Sequence, residues 1–397
     1  MRQDLEVRIL QVTPYFAPAW AYGGPPRVMY EFATGLVERG HEVDVLTTDV
    51  CDAERRAAPR REVLDGVRVH RLPNLSNSLA WRTKKYLPLG LATRLARAVD
   101  HYDIVHCTDT RTYLTAAAYL ATRVRRVPLC LSPHGSLPGS AGLRGAVKMA
   151  YDRLLVRPML ERAALLLAQT RHEAELLRSF GGRDHAIRTL PLPLDLAEVG
   201  DGAAPGSLHR LAGLEPGARV ILFLGRIHWL KGLDMLIESV EPLLGAGTVL
   251  VVVGRDDGQW GELATRHRRL LESGAIRFVG PLYGSDRFIA YADADVFCLT
   301  PRHWEETSLA GLEAAACGAA VVVTEQADIP GLAASGGGFV VPFDKDAIRD
   351  AVARALTDAR RMGNRASAHV RAQHEKGAVV EQLESYLLEA VASRCAR

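Results

Sequence analysis

Four groups of residues combine types and spacings suited to binding phosphate and hydroxyl groups. In Pro301–Gly318, PRHWEETSLAGLEAAACG, Glu305 and Glu313 stand eight residues apart. That is about two helical turns, so both carboxylates can face one crevice. Thr307 and Ser308 are helix-start residues, and the amides of Ser308, Leu309 and Ala310 would then point into the same crevice at the positive end of the helix, where phosphate oxygens bind well. In GRIHWLKG, Arg226 and Lys231 offer fixed positive charge, the one as a bidentate fork and the other as a point charge. His134 is followed by Gly135, a residue that permits close backbone approach. Gly23 and Gly24 precede a helical stretch whose amides would also suit phosphate.

These groups need strands and helices to hold them. Apolar runs at Val7–Val12, Val43–Thr47, Val67–Arg71, Ile104–Cys107, Leu129–Ser132, Leu165–Gln169 and Ile187–Leu190 alternate with amphipathic stretches. A basic excursion interrupts the alternation after Thr47, and a flexible segment is expected at Ser136–Gly145, leading into a long helix to about Glu161. The pattern resumes with Val220–Leu224, Thr248–Val253, Ile276–Val279, Val296–Leu299, Val321–Thr324 and Phe339–Val341. Strand, helix, strand in repetition implies parallel sheets covered on both faces, an α/β fold of two Rossmann-like domains. The expected division is 1–197, a linker at 198–218 rich in Gly and Pro, 219–375, and a C-terminal helix at 376–397 that packs back. Two such sheets facing a central cleft suit a nucleotide-linked substrate.

Composition narrows the class. The chain has 397 residues, 48% hydrophobic and 24% charged, more than one ordinary core accommodates. Six scattered cysteines without a CxxC pair point to free thiols in a reducing cytoplasm rather than to disulfides or zinc. The start of the chain reads as neither a signal peptide nor a membrane span. Residues 1–195 carry 28 Lys/Arg against 20 Asp/Glu, and the remainder 21 against 26. This asymmetry suits an anionic partner of the first half, either a membrane surface at the inner face of the cell membrane or a phosphate-bearing acceptor; a solvated basic face accounts for it as well. Without interleaved aromatics, the arginines do not suggest nucleic acid. Asp293 and Asp295 form a D-x-D, but they precede a strand and read as a junction, so no metal and no cofactor is expected.

The early PYFAPAWAYGGPPRV loop with the GHEV run at Gly40–Val43, the HG pair at His134, GR-x4-KG at Gly225–Gly232 and Glu-x7-Glu at Glu305 and Glu313 occur in one order over nearly the whole chain. In this the sequence resembles the retaining family four glycosyltransferases of the glycosyltransferase-B fold. The resemblance implies that Arg226 and Lys231 hold a diphosphate, with Gly23 and Gly24 on the opposite wall. It also implies that Glu313 accepts the ribose hydroxyls and that Glu305 contacts the donor sugar beside the breaking bond. His134 would bond that sugar or support the reacting centre, and Gly254 and Leu282 would lie near the base. Asp109 and Arg111 are candidates for acceptor contacts, although loop polarity explains them equally. Two departures stand out: Leu192–Asp195 replaces the usual Asn-Gly-Val-Asp, and Thr307–Ser308 replaces Phe-Gly.

The implied reaction moves a sugar from a nucleoside diphosphate to a hydroxyl of a saccharide or lipid-linked acceptor with retention, in polysaccharide or glycolipid biosynthesis. A sugar-nucleotide epimerase and a non-catalytic sugar-nucleotide-binding protein are the alternatives.

Overall fold

The computed structural model describes residues 6–137, 143–200, 204–245 and 247–395. The chain divides into two units, Met1–Pro193 with Lys376–Arg397, and Leu194–Glu375. In the first unit, strands β1 (Arg8–Val12), β2 (Glu42–Thr48), β3 (Arg61–Leu64), β4 (Val67–Leu72), β5 (Ile104–Thr108), β6 (Leu129–Ser132), β7 (Leu165–Ala168) and β8 (Ile187–Thr189) form one sheet. Their order is β3-β4-β2-β1-β5-β6-β7-β8, and every pairing except β3 with β4 is parallel. Strands β5, β6 and β7 are buried along their whole length, as strands covered on both faces must be.

The basic excursion contains the edge strand β3, which sequence periodicity does not reveal. Its signal is the Asp65-Gly66 dipeptide, with φ of 48° and 81°, which makes the two-residue turn into β4. Helices α1 (Gly24–Glu38), α2 (Tyr113–Arg125), α3 (Arg157–Arg162) and α4 (Arg171–Ser179) connect the strands. The long helix expected to end near Glu161 runs from Leu143 to Arg162 and widens into a π turn at Asp152–Val156. Residues 138–142 of the expected flexible segment lie outside the described residues.

The second unit holds β9 (Arg219–Leu224), β10 (Thr248–Val253), β11 (Ile276–Gly280), β12 (Val296–Leu299), β13 (Ala320–Thr324) and β14 (Gly338–Val341) in the order β11-β10-β9-β12-β13-β14, all parallel. Helices α5 (Leu196–Gly200), α6 (Ser207–Ala212), α7 (Leu233–Val240), α8 (Arg287–Tyr291) and α9 (Leu309–Ala316) belong to it. The stretch 198–218, expected as a linker, carries α6 and is fastened to this unit. Asp293 accepts from the amides of Gly206, Leu208 and His209 at 2.6, 2.8 and 3.2 Å. Residues 201–203 of that stretch are outside the described residues.

The C-terminal helix, Lys376–Cys395, packs on α1 in the first unit. Lys376 Nζ lies 3.3 Å from Glu31 and 3.2 Å from Glu38, and Glu384 takes both Arg39 (2.6 Å) and His41 (2.8 Å). A Cβ on Gly35 would sit 2.6 Å from Val380, so this glycine sets how closely the two helices approach.

In each sheet the strand order reverses once, between β1 and β5 and between β9 and β12. Open parallel sheets bind ligands at the carboxyl ends of strands at such reversals. Gly23, Gly24, Asp109 and Arg111 follow the reversal strands of the first sheet and Arg226, Lys231, Glu305 and Ser308 those of the second, whereas His134, Gly254 and Leu282 follow β6, β10 and β11.

Candidate active site

In the second unit the loops after β9 and β12 are clasped together. Gly232 has φ 67°, and a Cβ there would lie 1.9 Å from the Thr300 carbonyl oxygen, so no side chain fits. Thr300 Oγ1 donates to the Gly232 carbonyl at 2.9 Å, and the Arg302 amide donates to the Leu230 carbonyl at 2.8 Å. The Arg302 guanidinium also pairs with Asp234 at 2.5 and 2.7 Å. The clasp brings Lys231 Nζ to 2.6 Å from Glu305 Oε2, with both side chains largely buried. The Glu305 amide donates to the Gln326 carbonyl at 2.8 Å. Its neighbour Glu306, with φ 60°, is buried at 1% exposure, so the two adjacent glutamates have separate surroundings.

Arg226 shares the loop after β9 with Lys231, and its Nη1 donates to Asp257 at 3.2 Å. Asp257 also takes Arg255 at 2.7 and 2.9 Å. Burial pushes the Asp257 carboxyl up, but the hydrogen bonds and charge of Arg255 and Arg226 outweigh it and hold the group below its usual range. Arg226, Arg255 and Lys231 thus stand against Asp257 and Glu305, one positive charge in excess. Gly254 makes this arrangement sterically possible. Its φ is 151°, and a Cβ would fall 1.7 Å from the Gly225 carbonyl oxygen, so the loops that carry Arg226 and Arg255 pass in direct backbone contact. Leu282 is half-buried after β11.

Ser308 caps α9, its Oγ accepting from the Gly311 amide at 3.1 Å, and Leu309 opens the first turn. One helical turn further in, Glu313 is buried at 3% exposure. Its Oε1 accepts from Arg287 Nε and its Oε2 from the Tyr291 hydroxyl, each at 2.9 Å. Arg287 in turn donates to Glu198 at 2.7 Å. The carboxylate is therefore fixed in place with one lone pair on each oxygen already engaged.

The first unit places His134 and Gly135 in a turn after β6 with φ of 48° and 72°. Glu173, fully buried, holds this turn by accepting from the Gly135 amide at 2.8 Å and the Gln169 amide at 2.9 Å. The Gln169 side-chain amide faces His134 Nδ1. With Nδ1 accepting from that amide, the ring proton sits on Nε2, which is buried and has no hydrogen-bond partner among the described residues. Burial lowers the His134 pKa to about 4, so the ring is neutral and offers one N–H.

After β5, Asp109 adopts φ 57° and accepts from the Tyr15 hydroxyl at 3.1 Å. Burial raises its pKa to about 6. Tyr15 stacks on Tyr22 with centroids 5.2 Å apart, and the Lys84 ammonium lies 4.8 Å from the Tyr22 ring and 5.1 Å from that of Trp81. A buried aromatic cluster with a carboxylate and an ammonium at its edge thus lies beside the carboxyl end of this sheet.

The chain matches two family descriptions, "Glycosyl transferase 4-like domain" over residues 23–193 and "Glycosyl transferases group 1" over residues 218–358. It is 30% identical over 363 residues to the D-inositol 3-phosphate glycosyltransferase of Kribbella flavida, covering 85% of this chain and 83% of that one. The chain belongs to the family four, group 1 glycosyltransferases. Its fold is the glycosyltransferase-B fold: sucrose-phosphate synthase from Thermosynechococcus elongatus superposes with a TM-score of 0.75 at 19% identity, over 98% of this chain and 100% of that one. Anabaena HepE in complex with UDP-glucose superposes with a TM-score of 0.72 at 18% identity, over 98% and 100%.

In this glycosyltransferase two of the expected site residues are already engaged within the fold. The Arg111 guanidinium is clamped by Asp152 at 2.7 and 2.8 Å and by the carbonyls of Ser136 and Leu137. It ties the turn after β6 to the π turn. The Gly23 amide does not point outward, for it donates to the Trp20 carbonyl at 3.0 Å. The next residues, Gly24, Pro25 and Pro26, open α1 with two prolines that have no N–H, leaving Gly24 the first amide of that turn. The D-x-D carboxylates are engaged by backbone, Asp293 by the three amides at the start of α6 and Asp295 by the Val220 amide at 2.7 Å. Among the described residues no group of His, Cys, Asp or Glu is placed to hold a metal ion. Asp257, Arg287, Tyr291 and Gln169 carry no sequence signal of their own. Glu173 does have one, since Thr170-x-x-Glu173 is a capping box, with Thr170 accepting from the Glu173 amide at 3.0 Å.

Proposed function

We propose that this glycosyltransferase moves a sugar from a nucleoside diphosphate to a hydroxyl of a saccharide or lipid-linked acceptor, with retention and without a metal, in polysaccharide or glycolipid assembly. The observation that carries the reading is the Lys231–Glu305 pair at 2.6 Å together with the Arg226–Asp257–Arg255 set. A diphosphate competes with Glu305 for Lys231, and Arg226 adds a fork to the same anion. Freed from the ammonium, Glu305 accepts hydroxyls of the donor sugar. Cationic groups fixed in place before the bond breaks stabilise the departing diphosphate without reorganisation, and preorganised charge of this kind usually lowers the barrier more than any other single effect. The amides of Ser308 and Leu309 serve the same anion, and Leu282 borders the base. Glu313, its rotamer set by Arg287 and Tyr291, accepts the ribose hydroxyls with its remaining lone pairs.

On the first unit, Gly24 supplies a helix-terminal amide, His134 donates Nε2–H to the donor sugar, and Asp109 accepts from a non-reacting hydroxyl of the acceptor beside the buried Tyr15–Tyr22 pair. The departing phosphate takes the acceptor's proton on the face from which it leaves, which accounts for retention without a carboxylate nucleophile. HepE is known in complex with UDP-glucose and Arabidopsis thaliana starch synthase IV with ADP, which supports a nucleotide-linked donor. Among the described residues no helix is long and apolar enough to cross a membrane, and the basic first half suits peripheral binding to anionic lipid.

Incubating the protein with a panel of sugar nucleotides, with and without hydroxyl acceptors, and reading the anomeric configuration of any product by NMR tests the reading. An α-linked product from an α-linked donor is expected. Conversion of the donor with no acceptor present would make the protein an epimerase, and inversion would exclude the same-face route.

A further inference from the structure

A cavity of about 880 Å³ lies in the first unit and contains none of the residues assigned above. It opens where β6, β7 and β8 begin, whereas His134 follows the other end of β6. Its wall carries Arg123, Arg125, Arg126, Arg162, Arg183 and Arg188. Among the described residues a single lining carboxylate, Glu389, opposes these six guanidinium groups, 3.6 Å from Arg188.

Several of these arginines are held in place. Arg188 donates to the carbonyls of His185 and Ile187 at 2.9 and 3.1 Å, and its guanidinium lies 5.8 Å from the Tyr386 ring. Arg162 reaches the Tyr119 hydroxyl at 3.4 Å, and Arg125 reaches the Ala96 carbonyl at 3.1 Å and Asp100 at 3.4 Å. Arg123, Arg126 and Arg183 have neither an ion pair nor a side-chain hydrogen bond among the described residues. Helices α2 and α3 end here, and arginines in a last turn offset the negative end of a helix. That accounts for Arg123, Arg125 and Arg162. It does not account for Arg183 and Arg188, which come from the turn before β8 and from β8 itself. Nor does it account for Arg126, which has φ 58° just past α2, where glycine or asparagine is the unstrained choice.

We infer that this cavity binds a ligand bearing two or more phosphate groups. Guanidinium forks match phosphate oxygens bidentately, and the lining has no lysine. One phosphate would engage two or three of these groups and leave the rest repelling one another, whereas several phosphates neutralise the set. Because the helices present their negative ends here, the side chains alone must hold the anion, so removing them should abolish binding. The ligand is either a soluble polyphosphorylated molecule or the phosphorylated headgroup of a lipid.

The test titrates sodium tripolyphosphate into the full-length Arg226→Ala/Lys231→Ala protein, in which the donor loops no longer compete for it, and into the same protein with Arg126→Glu and Arg183→Glu added. The expected result is saturable binding with a rise in Tm for the first protein, weakened about tenfold or more in the second. The same melting temperature without ligand in both proteins excludes unfolding as the cause. If that temperature drops, Arg126→Gln/Arg183→Gln replaces the charge reversal. Sedimentation with phosphatidylcholine vesicles containing cardiolipin, whose headgroup carries two phosphates, distinguishes the sources: loss of vesicle binding along with tripolyphosphate binding assigns a lipid headgroup, and loss of tripolyphosphate binding alone assigns a soluble ligand. No binding to the first protein, or equal binding by both, overturns the inference. Neither result depends on sugar transfer.

Discussion

Gly232→Ala isolates the contribution of the loop clasp to the proposed chemistry. An alanine at φ 67° carries the left-handed penalty of about 1–2 kcal/mol. Its Cβ would also lie 1.9 Å from the Thr300 carbonyl oxygen, inside the 3.0 Å that real Cβ contacts respect, so one of the two loops must move by about an ångström. Overpacking of this kind adds about 1–3 kcal/mol. A displacement of that size at a positioning loop costs about 10²-fold in rate. Gly213→Ala is the control, because Gly213 has φ 61° but nothing within 4 Å of a Cβ. Thermal melts and kcat/KM for transfer, measured on both variants, separate the two effects. Gly213→Ala should lose about 1–2 kcal/mol and no activity, while Gly232→Ala should lose more stability and most of its transfer. Equal melting shifts with wild-type transfer in both would refute the positioning argument.

Other consequences follow from the same geometry. Lys231→Ala should lower kcat/KM about 10²–10³-fold, whereas Glu305→Gln, which keeps the shape but not the charge, should lower kcat more than it raises KM; steady-state kinetics decide. His134→Ala removes an N–H with no partner among the described residues and also the Nδ1 partner of the Gln169 amide, so melting should fall modestly while transfer falls about 10²-fold; a stability loss with intact transfer would make His134 structural. The raised Asp109 pKa means that the folded protein binds this proton more tightly than the unfolded chain does. Stability from this group is present below about pH 4 and lost as pH rises to about 6, by about 2–3 kcal/mol at most. Asp109→Asn should therefore gain stability over the parent on going from about pH 4 to 7 in paired melts, and parallel curves would contradict the burial argument.

Sequence periodicity locates the strands well because the parallel strands are buried on both faces and appear as continuous apolar runs. Val321–Val323 and Val251–Val253 are examples. The glycines of GR-x4-KG and of VVVG are legible as turn residues, but the reasons for them are not. Gly232 and Gly254 each answer to a carbonyl oxygen on another loop. What sequence could not supply is pairing across distance. Arg111 reads as a loop cation until Asp152, 41 residues on, is found to hold it. Glu313 reads as an open carboxylate until Arg287 and Tyr291 occupy one side of it. The edge strand β3 has four residues, none of them buried, and escapes a search for apolar runs, although Asp65-Gly66 marks its turn.

The central claim is that the charged loops after β9 and β12 hold a diphosphate. Calorimetric titration of UDP, ADP and GDP into wild-type protein and Lys231→Ala tests it most directly. The account predicts that the nucleotide that binds the parent most tightly binds the variant about tenfold or more weakly. An unchanged Kd would contradict it.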